Sequence, residues 1–548
     1  MPRKSPKCET TIQVEGFGTA KGLEYADGTR QFFGVPYGRV AKHWTRSTVA
    51  SSWHNGFHDG RKLGSGPHML APWDQNHDLM VPAVETMELA PRSGLECCNM
   101  NIAMPPASAG LGPFPVLLWI PGGSFVFGGS NFAVYDGANL TSYAAERGTP
   151  VVTIGCTYRT GVAGFLASGE IRRDLEVDGF SGVGNFGLTD QQTCMEWIQQ
   201  YIHLFKGDKD QVTIIGESAG SISIATHIIT QQEKILFHRA IQMSAQPTLV
   251  DVLPLEAHER RYRRLLKHFD IDPELPGALE KLRAIPEAEV ANGLNIGEGP
   301  LFSLGSPCFD GVYYTERPRL DWTSQLPSKL KALVLGHTMD EGVLFISLAE
   351  QFDFSYCLDR MCAHMTKGQA REVLDMYGVT ATTPKEELRD NILQIFHDGL
   401  FKMPDWMAAN SSRLAETYTY HFDKIAVVKN TVEGWSHHAV DLHYLFMNRN
   451  EDHSPELISL AKIYSGAFLD VAYGKEPWLK YGKDRNWIVF GQGDMTGIKT
   501  ESQQRNYRSF FNRCYKLQEL GLFKEFLEGA KDMVFMRHLI REALEISR

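Results

Sequence analysis

The sequence predicts an α/β fold, with a large, mostly parallel central sheet covered by helices on both faces. Three observations lead there. Residues 115–120, 150–154 and 331–335 are continuous apolar runs, which suit strands buried on both faces. Helical patterns lie between them, at 190–205 and 388–400, and strands alternating with helices imply a layered sheet. The stretch Val212-Thr213-Ile214-Ile215 runs through Gly216-Glu217-Ser218-Ala219-Gly220 into a helical segment beginning at Ser221.

The elements follow in order. Residues 10–38 read as short strands with turns. Residues 41–93, rich in Pro, Gly, His and Trp and without a period, read as an N-terminal excursion, and long excursions often carry function. Residues 505–548 read as C-terminal helices. Their apolar residues Phe523, Phe526, Leu527, Met533, Val534 and Leu544 suit either core packing or the face of a homodimer. No linker, charge block or repeat divides the 548 residues, so one domain over 1–548 is expected, although length alone would allow about three or four.

Composition narrows the function. The formal net charge is −10 and the basic residues form no stripe, so nucleic acid is not an expected partner. No stretch approaches the ~20 apolar residues of a membrane helix, and no membrane association is expected. The N-terminus is basic, but no apolar segment follows it, so it does not read as a secretory signal. Asn139-Leu140-Thr141 and Asn410-Ser411-Ser412 then read as unused glycosylation patterns. Nine cysteines without zinc spacing fit reduced thiols and a cytoplasmic setting.

Strand, Gly-x-Ser-x-Gly and helix together are the context of a nucleophile elbow. The turn is too tight for side chains at 216 and 220. It places Ser218 in a strained, exposed conformation, and the helix N-terminus behind it favours negative charge. A serine nucleophile needs a base, an acid to orient the base, and donors for the oxyanion. The loop Pro121-Gly122-Gly123-Ser124-Phe125-Val126-Phe127-Gly128-Gly129 follows an apolar strand, and its glycines let backbone N–H groups approach a substrate. In elbow folds the partners follow in the order acid, then base. Asp340 and Glu341, at the end of the strand 331–336, both qualify as acid. His437 and His438, in a glycine- and aromatic-flanked loop, both qualify as base.

These residues resemble the type-B carboxylesterase/lipase family, the cholinesterase-like branch of the α/β-hydrolases. The likeness is strongest along Gly184-Asn185-Phe186-Gly187-Leu188-Thr189-Asp190-Gln191, through Trp197, Ile202, Phe205, Gly207 and Asp208, to the elbow. Phe33-Gly34-Val35-Pro36-Tyr37, Tyr158-Arg159-Thr160-Gly161 with Gly164-Phe165-Leu166, Asp310-Gly311, and Asp398, Phe401 and Pro404 add to it. The resemblance implies the α/β-hydrolase fold and a catalytic triad of Ser218, Glu341 and His438, with His437 as the lesser candidate for base. It also implies an oxyanion hole from the N–H groups of Gly123, Ser124 and Ala219. Pro121 stands where the family usually has His or Tyr, and Ser124 where glycine is frequent. Cys97 matches a half-cystine of secreted relatives, but residues 60–75 hold no cysteine to pair with it.

The expected activity is hydrolysis of the carboxylic ester of a small, largely apolar molecule, through an acyl-enzyme on Ser218 and without metal or organic cofactor. Phe125, Phe127, Trp73, Trp435 and Phe401 are candidate pocket walls, with Glu217 and Asp441 near the base. The same triad could instead transfer its acyl group to an alcohol or amine, or open a lactone or amide. A non-catalytic binding relative is the third reading, and it fits poorly with an intact triad.

Overall fold

The computed structural model describes residues 6–68, 92–230, 235–293, 305–427, 432–448, 454–491, 496–503 and 510–537. Its main sheet has 13 strands. In chain order they are β1 (Cys8–Val14), β2 (Gly18–Glu24), β3 (Arg30–Pro36), β4 (Phe57–Asp59), β5 (Asn99–Met104), β6 (Phe114–Ile120), β7 (Val152–Cys156), β8 (Gly207–Glu217), β9 (Arg239–Met243), β10 (Ala332–Thr338), β11 (Thr417–Phe422), β12 (Asn486–Phe490) and β13 (Gly497–Thr500). The spatial order is β1-β2-β3-β5-β7-β6-β8-β9-β10-β11-β12-β13, with β4 alongside β2. From β7 to β12 every neighbouring pair is parallel. The flanking pairs β1–β2, β2–β3, β3–β5, β5–β7 and β12–β13 are antiparallel.

The apolar runs are continuous because the parallel block is covered on both sides. Along β6, Val116, Leu118 and Ile120 enter one core, with Trp197 and Ile198 of helix α1 (Phe186–Tyr201) and Ile222 and Ala225 of helix α2 (Ala219–Thr230). Leu117 and Trp119 enter the opposite core, with Leu460, Tyr464 and Phe468 of a helix at Pro455–Ala472. Alternate residues of one strand thus serve opposite faces. Among the described residues no helix is long and apolar enough to cross a membrane.

One buried ion pair fastens the sheet to α1. Arg159, just beyond β7, donates from Nε and Nη2 to Asp190 at 2.7 and 2.6 Å, and from Nη1 to Thr45 O at 2.8 Å. The two side chains are 1% and 0% exposed, so each charge depends on the other for solvation.

Two parts of the chain refine the expectations. The stretch 41–93 is not wholly an excursion, because Phe57–Asp59 joins the sheet parallel to β2; three residues are too short to show a period. Residues 69–91, and Trp73 with them, lie outside the described residues. At the C-terminal end, helices form at Phe510–Glu519 and Phe523–Phe535. Phe526, Leu527, Met533 and Val534 are buried in this chain's own core, so a homodimer through these helices would have to use their other faces. Leu544 lies outside the described residues.

Asp190→Ala should leave Arg159 charged, buried and unpaired, and cost about 3–5 kcal/mol. A fall in the chemical-unfolding midpoint checks this; an unchanged midpoint would contradict the role given to the pair.

Candidate active site

β8 ends at Glu217 and α2 begins at Ala219, so the whole turn is Ser218. Its φ is +56°, a left-handed conformation that costs a non-glycine residue about 1–2 kcal/mol. Its N–H donates to Met243 O at 2.9 Å, which anchors the turn to β9. The flanking glycines are required by close backbone approach. A Cβ on Gly220 would lie 2.0 Å from Ile120 O, and one on Gly216 would lie 2.7 Å from Gly220 C.

Gly216 pairs with Ile120 in the parallel register of β8 and β6. The loop leaving β6 therefore emerges directly beside the elbow. A Cβ on Gly122 would lie 2.5 Å from Glu217 O and 3.0 Å from Ser218 Cβ, so bare backbone packs on the turn. Gly123, Ser124 and Phe125 have φ of +117°, +56° and +61°. Gly123 O accepts from the N–H groups of Val126 and Phe127 at 2.9 and 3.1 Å, and the Tyr158 hydroxyl donates to Pro121 O at 2.7 Å. Among the described residues, the Gly123 and Ser124 N–H groups donate to no protein acceptor. The Ala219 N–H lies in the first turn of α2, where intrahelical acceptors are missing.

Glu341, three residues beyond β10, is fully buried. Its Oε1 accepts from Thr338 N–H at 2.7 Å, and its Oε2 lies 2.6 Å from His438 Nδ1. Burial opposes its charge. The His438 charge and hydrogen bond, with the Thr338 N–H, outweigh burial and hold the carboxyl below the usual carboxylate range. Burial would likewise push His438 down, but the charges of Glu217 and Glu341 outweigh it and hold the imidazole well above its ordinary range. The Nε2 edge of His438 is turned to Glu217, 2.7 Å from Oε1. That approach is off-axis, so Oε1 accepts no hydrogen bond in it.

The two pairs that the residues alone leave open, Asp340 with Glu341 and His437 with His438, differ in their contacts. Asp340 Oδ2 accepts from Ser436 N–H at 2.9 Å, and Asp340 N–H donates to Ser436 O at 2.8 Å. Asp340 thus grips the loop that carries the histidines, while Glu341 meets the imidazole. His437 Nδ1 lies 2.7 Å from His438 O, and burial pushes its imidazole down to about 4.

The other candidates divide. The Phe401 ring lies 5.3 Å from the His438 ring. Phe125 is fully buried against Phe165, 5.0 Å away, and offers no surface to a substrate. Phe127 packs against a separate cluster around Val126 and Val162. Trp435 faces a cleft with Met376, Tyr377, Asn391, Gln394 and Arg513 instead. Asp441 is buried, accepts from the Tyr464 hydroxyl at 2.8 Å, and is pushed by burial up to about 7. From sequence, Glu217 was expected only as a general influence on the field around His438. It follows from Glu217 being the elbow residue adjacent to Ser218.

A family model described as "Carboxylesterase family" matches residues 9–513. Among curated proteins, the chain is 25% identical to "Lipase 3" of Yarrowia lipolytica, over 84% of this chain and 87% of that protein. It is 28% identical to "Fatty acyl-CoA hydrolase precursor, medium chain" of Anas platyrhynchos, over 60% of this chain and 58% of that protein. With an acetylcholinesterase of Bungarus fasciatus the identity is 32%, over 52% and 48%. The structure superposes on a solved PNB esterase with a TM-score of 0.71 at 21% identity, covering 92% of this chain and 99% of that one. That superposition shows an esterase of the same α/β-hydrolase fold.

Gly220→Ala should force the elbow away from β6 and lower turnover of a p-nitrophenyl ester by about 10² or more, since an ångström of misplacement has that effect. Retained turnover would show that the close approach at Ile120 is not needed.

Proposed function

Since this chain belongs to the carboxylesterase family, and is by that membership a carboxylic ester hydrolase, we propose that it works through an acyl-enzyme on Ser218. His438 is the base, Glu341 orients it, and the N–H groups of Gly123, Ser124 and Ala219 receive the oxyanion. The observation that carries this reading is the buried 2.6 Å contact of His438 Nδ1 with Glu341, placed beside a left-handed serine turn.

Glu341 accepts the Nδ1 proton and leaves Nε2 as the basic edge. Nε2 turns from Glu217 to the adjacent Ser218 and takes the hydroxyl proton as Oγ attacks the ester carbonyl. Such contacts often tighten only when substrate is bound. Negative charge then develops on the carbonyl oxygen, against donors that no protein acceptor occupies. Loss of one such donor typically costs about 10²–10³ in rate. The imidazolium returns its proton to the leaving alcohol, and water releases the acid by the same steps.

The substrate is proposed to be a small, largely apolar ester. Phe401 against His438 supports an apolar flank, and relatives named as lipases and an acyl-CoA hydrolase agree with it. All nine cysteines are unpaired, which supports a reducing, cytoplasmic setting.

Ser218→Ala should abolish hydrolysis of p-nitrophenyl acetate and covalent labelling by an organophosphonate; full activity in that variant would sink the assignment. The raised imidazole pKa means that the basic form is lost as pH falls, so kcat/KM should rise with pH along its acid limb. Glu217→Gln removes one of the two carboxylates that raise it, and should move that limb to lower pH. A limb that stays in place would deny Glu217 any hold on the base.

A further inference from the structure

One cluster of titratable side chains takes no part in the chemistry above. Trp322 Nε1–H donates to Gln246 Oε1 at 2.9 Å, and Gln246 Nε2–H donates to Asp405 Oδ1 at 2.8 Å. Asp405 Oδ2 lies 2.7 Å from His337 Nδ1, and His337 Nε2 lies 2.8 Å from His421 Nδ1. All five side chains are buried. Apolar residues would fill the same space without removing so many polar groups from water.

The cluster ties together elements that end at the site. Gln246 follows β9, His337 lies in β10, and His421 is its register partner in β11. Asp405 comes from the helix Met403–Ser411, which packs across that face. Four residues beyond His337 is Glu341. One residue beyond His421 is Phe422, whose carbonyl accepts from Met339 N–H at 2.9 Å and from the Ser436 hydroxyl at 2.8 Å. Ser436 is two residues before His438.

We propose that Gln246, Asp405, His337 and His421 form a positioning relay, which fixes the ends of β10 and β11 against each other and so holds Glu341 and His438 at working distance. This rests on the assignment of Ser218, Glu341 and His438 made above. Direction enters from one end, because an indole can only donate, so Gln246 must present its amide N–H to Asp405. Burial pushes the Asp405 carboxyl well up. Burial, with the Lys402 charge, pushes the His337 imidazole down to about 3, against the opposing charges of Glu341 and Asp398. Burial therefore favours a neutral acid at Asp405 and a neutral imidazole at His337. In those forms Asp405 would donate to His337 Nδ1, and His337 Nε2–H to His421 Nδ1. Every donor then points the same way, which lets each bond strengthen the next, and a neutral Asp405 adds no anion behind Glu341.

Asp405→Asn preserves this pattern, since its carbonyl accepts from Gln246 and its N–H donates to His337. Asp405→Leu cannot. Sites are first counted by organophosphonate labelling of Ser218, so that kcat refers to folded enzyme. Asp405→Asn should stay within about threefold of the parent kcat, whereas Asp405→Leu should lose about 10–100-fold in kcat with KM within about twofold. Should Asp405→Leu not fold, His421→Phe cuts the relay at its far end, with the same expectation. Parental kcat per labelled site in the cut variant would overturn the relay, as would an equal loss in Asp405→Asn. An unlabelled Ser218 in the parent protein would overturn the site assignment on which the relay depends.

Discussion

The contact between Glu341 and His438 is the constraint around which the site is arranged. A carboxylate and an imidazole, 0% and 3% exposed, stand 2.6 Å apart. Removing two such groups from water costs several kcal/mol each, and only close geometry with further hydrogen bonds recovers it. The fold supplies both. Thr338 N–H holds the second oxygen of Glu341, and Asp340 holds the backbone of Ser436, two residues before His438. Glu217 then places another negative charge against the far edge of the imidazole. The imidazole therefore rests between two carboxylates, whose charges favour the imidazolium over the neutral ring.

The second constraint is steric. β6 and β8 are parallel neighbours in a register that sets Ile120 beside Gly216. The elbow and the glycine loop must leave the sheet at the same place, within van der Waals contact. Only bare backbone fits at 122, 216 and 220. Crowding thus explains how a left-handed serine and a run of left-handed loop residues persist side by side. Strain in the turn and unoccupied N–H groups in the loop are two consequences of one close approach.

Much of this was legible in the sequence, for physical reasons. The parallel block showed itself as continuous apolar runs because it is buried twice over. Ser218 showed itself because the turn tolerates only glycine on either side. From residue types alone, the candidates for acid and base were legible in order but not in identity; the family resemblance selected Glu341 and His438. Asp340 and Glu341 are adjacent carboxylates, and which one faces the imidazole depends on the turn after β10, a matter of torsion angles that residue types do not specify. Likewise His437 turns onto a backbone carbonyl while its neighbour reaches Glu341. The relay left no local signal at all, since Gln246, His337, Asp405 and His421 meet only across 159 and 84 positions of chain, among other contacts. Phe125 shows the opposite failure: an aromatic beside the oxyanion loop reads as a pocket wall, yet the left-handed turn at Ser124 and Phe125 sends it into the core against Phe165.

The central claim is that Ser218 attacks, with its charge received by the glycine loop and its proton by His438. A crystal structure of the organophosphonate adduct tests this most directly. The account predicts phosphorus bonded to Ser218 Oγ and the phosphonyl oxygen within about 2.7–3.1 Å of the N–H groups of Gly123, Ser124 and Ala219. It also predicts that His438 Nε2 has turned from Glu217 toward Ser218 Oγ. Phosphorus on another residue, or a phosphonyl oxygen pointing away from the loop, would contradict it.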